Sequence, residues 1–114
     1  MAVIVETDGP QVLLRGIYES IDSGKVQTWR YQDYNNEIYL THCANQWDSK
    51  AWLKPVQEGG MLVFYIYNAK NVVLTPEIYA VFHGRFIEML LAHFDQQMNK
   101  IWATEKPANG DQIK

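Results

Sequence analysis

Three histidines (His42, His83 and His93) and one cysteine (Cys43) are the side chains on which acid–base, nucleophilic or metal chemistry could rest. Their spacing argues against each. His83 and His93 stand ten positions apart in a stretch with helical character, about 15 Å of rise at roughly 1.5 Å per residue. They cannot share a metal, because helical ligand pairs lie three or four positions apart. His42 and Cys43 are neighbours in an extended run, which aims their side chains at opposite faces. A site would have to join His42 to His83 or His93 across a sheet–helix interface, so no metal or cofactor is expected. Cys43 has no glycine-rich elbow and no helix start behind it to lower its pKa. Ser20, Ser23 and Ser49 lack a nucleophile elbow. Glu58-Gly59-Gly60 is too short to cradle phosphate, and no lysine follows at P-loop spacing. Glu88 and Asp95, seven apart, read as a solvated helix face. An enzyme with His93 or His42 as acid or base is therefore the weakest functional reading.

Aromatic residues offer more. From His42 to Lys54 the chain reads His-Cys-Ala-Asn-Gln-Trp-Asp-Ser-Lys-Ala-Trp-Leu-Lys, with Trp47 and Trp52 flanking a polar turn. Tryptophan is enriched at binding hot spots, and Asn45, Gln46, Asp48 and Lys50 supply directional polar groups beside it. With Trp29, Tyr31 and His93 these tryptophans could line a ligand pocket between helix and sheet. The competing reading makes both tryptophans plugs at the end of the sheet. Arg30, Tyr39 and Thr41 form a second polar patch on the other sheet face.

Such side chains need a scaffold, and one stretch organises it. Thr75-Pro76-Glu77 is a helix start, with a capping hydroxyl, proline at the first helical position and an acid at the positive end of the dipole. The pattern predicts a helix from Thr75 to about Trp102, roughly 40 Å long. Ile78, Tyr79, Phe82, Phe86, Met89 and Leu90 form one stripe, and Ile87, Leu91, Phe94 and Met98 extend it well round the cylinder. A helix on one sheet needs an apolar arc of only about 100°. Ala80 and Gly84, four apart beside Ile87 and Leu91, would let a second backbone approach. Either a curved sheet wraps this helix, or Ala80, Gly84, Ile87 and Leu91 form a homodimer seam.

Upstream, the patterning predicts strands. Ala2–Glu6 is a β-branched run, and Gln11–Glu19, Lys25–Asp33 and Glu37–Cys43 read as a meander turning at Ser23-Gly24 and Asn35-Asn36. That register places Val12, Leu14, Tyr18, Trp29, Tyr31, Ile38, Leu40 and His42 on one face, leaving Leu13 and Ile17 as exceptions on the polar one. Asp48 is expected to cap a single helical turn that Pro55 helps to end. Met61–Tyr67 is apolar on both faces, Asn68–Asn71 turns, and Val72–Leu74 is read as a last strand.

The totals bound the answer. A chain of 114 residues with 47% hydrophobic and 13% aromatic residues fits one folded domain with a real core. A net charge of -3 without a basic run gives no support to nucleic-acid binding. One cysteine precludes an internal disulfide and suggests a reducing compartment. No apolar run approaches membrane-spanning length, and Met1–Glu6 lacks a signal peptide's basic region. The expectation is a cytoplasmic α+β domain over residues 1–102, an antiparallel meander of five or six strands with one long C-terminal helix on its apolar face. Residues 103–114 are expected to form a flexible polar tail. The leading functional expectation is a non-catalytic protein-interaction module acting as a homodimer, because helix and strand both carry surplus apolar surface. The alternative is a small-ligand binding protein.

Overall fold

The antiparallel sheet and the long helix across it form as the patterning predicts, with a second helix where a strand is expected. The computed structural model describes residues 2–104. In chain order the elements are β1 (Ala2–Glu6), α1 (Pro10–Asp22), β2 (Trp29–Tyr34), β3 (Glu37–His42), β4 (Ala51–Glu58), β5 (Met61–Asn68), α2 (Pro76–Phe94) and β6 (Lys100–Ala103). The six strands make one sheet in the order β2-β3-β4-β5-β1-β6, antiparallel throughout. β2 to β5 follow one another by short turns. β1 is inserted between β5 and β6, so the two ends of the chain close that side of the sheet.

The β2–β3 hairpin turns at Asn35 (φ 54) and Asn36 (φ 65). Both adopt the left-handed backbone that two-residue hairpins require and asparagine tolerates. The register is the one the sequence implies: Trp29 opposite His42, Tyr31 opposite Leu40 and Asp33 opposite Ile38. Gly59 (φ 61) and Gly60 turn the next hairpin, with Glu58 opposite Met61.

Residues 11–19 are a correction. They lie in α1, started by Pro10 at the first helical position. Leu13 and Ile17, the exceptions to the strand reading, are fully buried, while Val12 is 62% exposed. The alternation of Val12, Leu14 and Tyr18 masked a helical period in which Leu13, Ile17 and Ile21 share the core side with Leu14 and Tyr18. Gly16 sits where an added Cβ would lie 3.4 Å from the Phe94 ring, so α1 and the end of α2 approach closely there.

Helix α2 begins as predicted, with the Thr75 hydroxyl accepting the Ile78 N–H. It stops at Phe94 and not near Trp102. A single 3-10 turn, Asp95–Gln97, follows, and the chain extends into β6, where Ile101 faces Val5 and Trp102 faces Ile4. Pairing with the otherwise open edge of β1 outweighs continuation of the helix. The capped helical turn at Asp48 is also absent. Residues 44–50 form hydrogen-bonded turns, and Ala51 and Trp52 already belong to β4. Pro55 lies inside β4, beyond the Leu40–Leu53 bridge that joins β3 to β4, where a missing donor is tolerated. Residues 72–74 are irregular, with Val73 78% exposed. Of the expected tail, Ala103 completes β6 and Thr104 exchanges backbone and side-chain hydrogen bonds with Ala2. Residues 105–114 lie outside the described ones.

Both helices cover the same face of the sheet. Phe86 packs edge-on against Phe64 and Trp29, with ring centroids 4.5 and 5.0 Å apart, and Tyr18 of α1 lies 4.9 Å from Tyr31 of β2. Val3, Val5, Leu40, Leu53, Leu62, Phe64 and Ile66 complete this core. The opposite face carries no described helix. By register it presents Arg30, Gln32 and Tyr34, then Glu37, Tyr39 and Thr41, then Trp52, Lys54, Val56 and Glu58, then Met61, Val63, Tyr65 and Tyr67. Ile4 and Trp102 finish it on β1 and β6. The two-sided apolar character of Met61–Tyr67 thus reflects a core side and this outer side. No described helix is long and apolar enough to cross a membrane.

Candidate functional site

Strand periodicity builds a cleft on that outer face. Because side chains alternate between faces, Tyr34 of β2, Tyr39 of β3, Trp52 of β4 and Tyr67 of β5 all point the same way and wall a cavity of about 420 Å³. Gln32 and Asn68, Ala69 and Lys70 close its ends. The volume falls within the roughly 300–1,000 Å³ of small-ligand clefts. Tyr39 and Tyr67 meet edge to face at 5.5 Å. Tyr34 is 64% exposed and forms a rim.

A polar frame holds the rings. The Arg30 guanidinium lies 5.2 Å from the Trp52 ring centre and donates to Asp48 Oδ1 at 2.8 Å, to Ser49 Oγ at 2.9 Å and to Gln32 Oε1 at 3.3 Å. Arg30, seconded by the Ser49 hydroxyl, holds the Asp48 carboxyl below the usual carboxylate range. The Lys54 ammonium lies 5.9 Å from the Tyr67 ring centre and pairs with Glu37 at 3.0 Å. That pair pushes Lys54 up and, with help from the Tyr39 hydroxyl, Glu37 down. Burial, then the Glu37 carboxylate, raises the Tyr39 phenol. The turns at 44–50 are pinned from below by buried Thr41, whose hydroxyl donates to Ala51 O and accepts from Ser49 N–H.

The residues singled out from the sequence divide between the two faces. Trp52 walls the cleft, and Asp48 acts on it through Arg30. Trp29 lies on the helix side, fully in the core, with Phe82, Phe86 and His42 around it. Tyr31 lies on that side too, its ring tilted against Tyr18 and its hydroxyl donating to Asp22 at 2.7 Å. Trp47 is half-buried against the same core, Asn45 is exposed in the turns, and His93 is exposed at the end of α2. Trp29, Tyr31, Trp47, Trp52 and His93 therefore do not gather in one pocket between helix and sheet; β4 sends Trp52 through to the other side. On α2, Ala80, Gly84 and Leu91 are exposed and Ile87 is half-buried against the core. A Cβ on Gly84 would meet nothing within 4 Å. Tyr34, Tyr67, Gln32 and Lys70 were not singled out, although the alternation that put Tyr39 on an outer face applies equally to Gln32 and Tyr34.

The potentially reactive side chains stand apart from the cleft. His83 is buried, its Nδ1 2.8 Å from Tyr79 O. His42 is buried beside Trp29, and its Nδ1 accepts the Ala44 N–H at 3.0 Å. Burial, then the Arg85 charge, lowers its pKa. Burial raises the Cys43 thiol, the reverse of nucleophile activation. Among the described residues no three metal-capable side chains cluster. Comparison with protein-family models, with curated proteins and with solved structures finds no match to this chain.

Proposed function

We propose that this chain is a non-catalytic recognition module that holds a small molecule in the aromatic cleft on the outer face of its sheet. The observation that carries the reading is convergence: one ring from each of four neighbouring strands lines a single cavity. Aromatic side chains give large, rigid contact area and a polar tip. The lining consists of rings, two amides, an alanine and one ammonium, a set suited to holding a ligand. A thermal-shift screen of small molecules tests this. Binding raises the melting temperature by mass action, and the shift is expected to vanish in Trp52→Ala and in Tyr34→Ala. Shifts that persist in both variants would refute it.

A second reading, self-association, is favoured by the outward strip of α2, where Leu91 is half exposed beside Ala80 and open Gly84. That strip points away from the sheet, so a homodimer built on it leaves the cleft free. Light scattering over a concentration series is expected to give a dimer mass that Leu91→Glu returns to monomer. A monomer at every concentration excludes it.

A further inference from the structure

We propose that the cleft selects a small planar aromatic anion, an aryl or arylalkyl carboxylate or phosphate, with its ring among Tyr39, Trp52 and Tyr67 and its charge at Lys70. This rests on the reading of the cleft as a binding site. Aromatic walls alone would favour a cation, because ring faces carry negative partial charge. Here the chain already supplies those cations, Arg30 at Trp52 and Lys54 at Tyr67. Both are anchored, Arg30 to Asp48 at 2.8 Å and Lys54 to Glu37 at 3.0 Å. An incoming cation would have to displace one of them and strand its carboxylate, or sit beside it against like-charge repulsion.

Lys70 differs: it lines the cleft, is exposed, and has no ion pair among the described residues. Of the described side chains that line the cleft, Lys70 is the one with a formal charge, and it is positive, in a chain whose net charge is -3. Gln32 adds a donor. Its Oε1 accepts from Arg30, which leaves its amide nitrogen as the group to offer a ligand. Rings for a planar body, an amide donor from Gln32 and the Lys70 ammonium describe a site for an aromatic anion.

The test keeps one ring and varies the charge. Indole-3-acetate, indole-3-ethanol and tryptamine are titrated into the labelled full chain, and backbone amides at 32–34, 39 and 67–70 are followed by NMR with the Trp52 indole N–H. An exposed charge pair contributes only modestly, so roughly threefold per unit charge is expected. Indole-3-acetate should bind about tenfold more tightly than tryptamine, with the alcohol between. Lys70→Gln should bring the acetate down to the alcohol and leave the alcohol unchanged. Equal binding of all three at the cleft, or tryptamine tightest, overturns the charge inference while the cleft stands. No shift at the cleft from any probe overturns the cleft reading as well. A blocked Asp-Trp-Asp peptide presents the same ring from a protein. If it binds more tightly than indole-3-acetate, a peptide and not a small molecule is the occupant.

Discussion

Trp29 and Trp52 stand on opposite faces of one sheet and should answer differently to truncation. Trp29 is fully buried among Phe82, Phe86 and His42, so Trp29→Ala is expected to cost about 3–5 kcal/mol. Trp52 is half-buried, with one side open to the cleft, and Trp52→Ala should cost clearly less. Urea unfolding of the two variants checks the order, and equal losses would contradict the two placements. His42 gives a pH signature. Its folded pKa lies below the ordinary 6.5, so between the two values the unfolded chain binds more protons. Stability from this group is complete above pH 6.5 and is lost as pH falls from there towards the lowered value. Protonation would also cost Nδ1 its role as acceptor for Ala44 N–H. His42→Asn, whose carbonyl can take that N–H without titrating, should flatten the loss of stability between pH 7 and pH 5. Parallel curves would contradict it. At this level the sequence named Trp52, Asp48, Arg30 and Tyr39 as polar or aromatic candidates. It grouped Trp52 with Trp29 only because the extended backbone at Ala51–Trp52 was hidden behind a plausible Asp48 cap.

Among the elements, the β2–β3 hairpin was the most readable. Asn35 and Asn36 take a left-handed backbone conformation that few other residues accept, and the alternation on either side then fixes the register. Asn36→Val puts a β-branched residue at φ 65 and is expected to destabilise by about 1–2 kcal/mol, measurable by denaturant unfolding. An unchanged midpoint would contradict the turn. Helix α1 was not readable in the same way, because Val12, Leu14, Tyr18 and Glu19 satisfy a period of two as well as residues 13, 17 and 21 satisfy a helical one. Tertiary burial of Leu13 and Ile17 decides between them. Gly16 records the outcome. Gly16→Ala should be neutral or stabilising, since helix propensity improves by up to about 1 kcal/mol and its Cβ would only touch the Phe94 ring. Gly16→Leu should push that ring aside and lower stability. The end of α2 was hidden for a different reason: Met98, Ile101 and Trp102 continue a helical apolar pattern, but β1 offers them a strand edge from the other end of the chain.

For the molecule as a whole, the surplus apolar surface in the sequence has two fates. Most of the wide arc of α2 is used by the sheet and α1 together. The second side of Met61–Tyr67 is the outer face, covered by no described helix. Sequence patterning detected the surplus and left open what it serves, because a helix wrapped by its own chain and a shared one share the same periodicity. Gly84→Ala separates the possibilities: its Cβ meets nothing, so a monomer should gain up to about 1 kcal/mol. If the α2 strip is a dimer seam, the same change should weaken association in a dilution series. The measurement that bears most directly on the central claim is NMR mapping of small-fragment hits on the labelled chain. Perturbed amides are expected to concentrate at residues 32–34, 39, 52 and 67–70, around the four rings of the cleft. Hits that map instead to the helix side of the sheet, or scatter without a centre, would contradict the account.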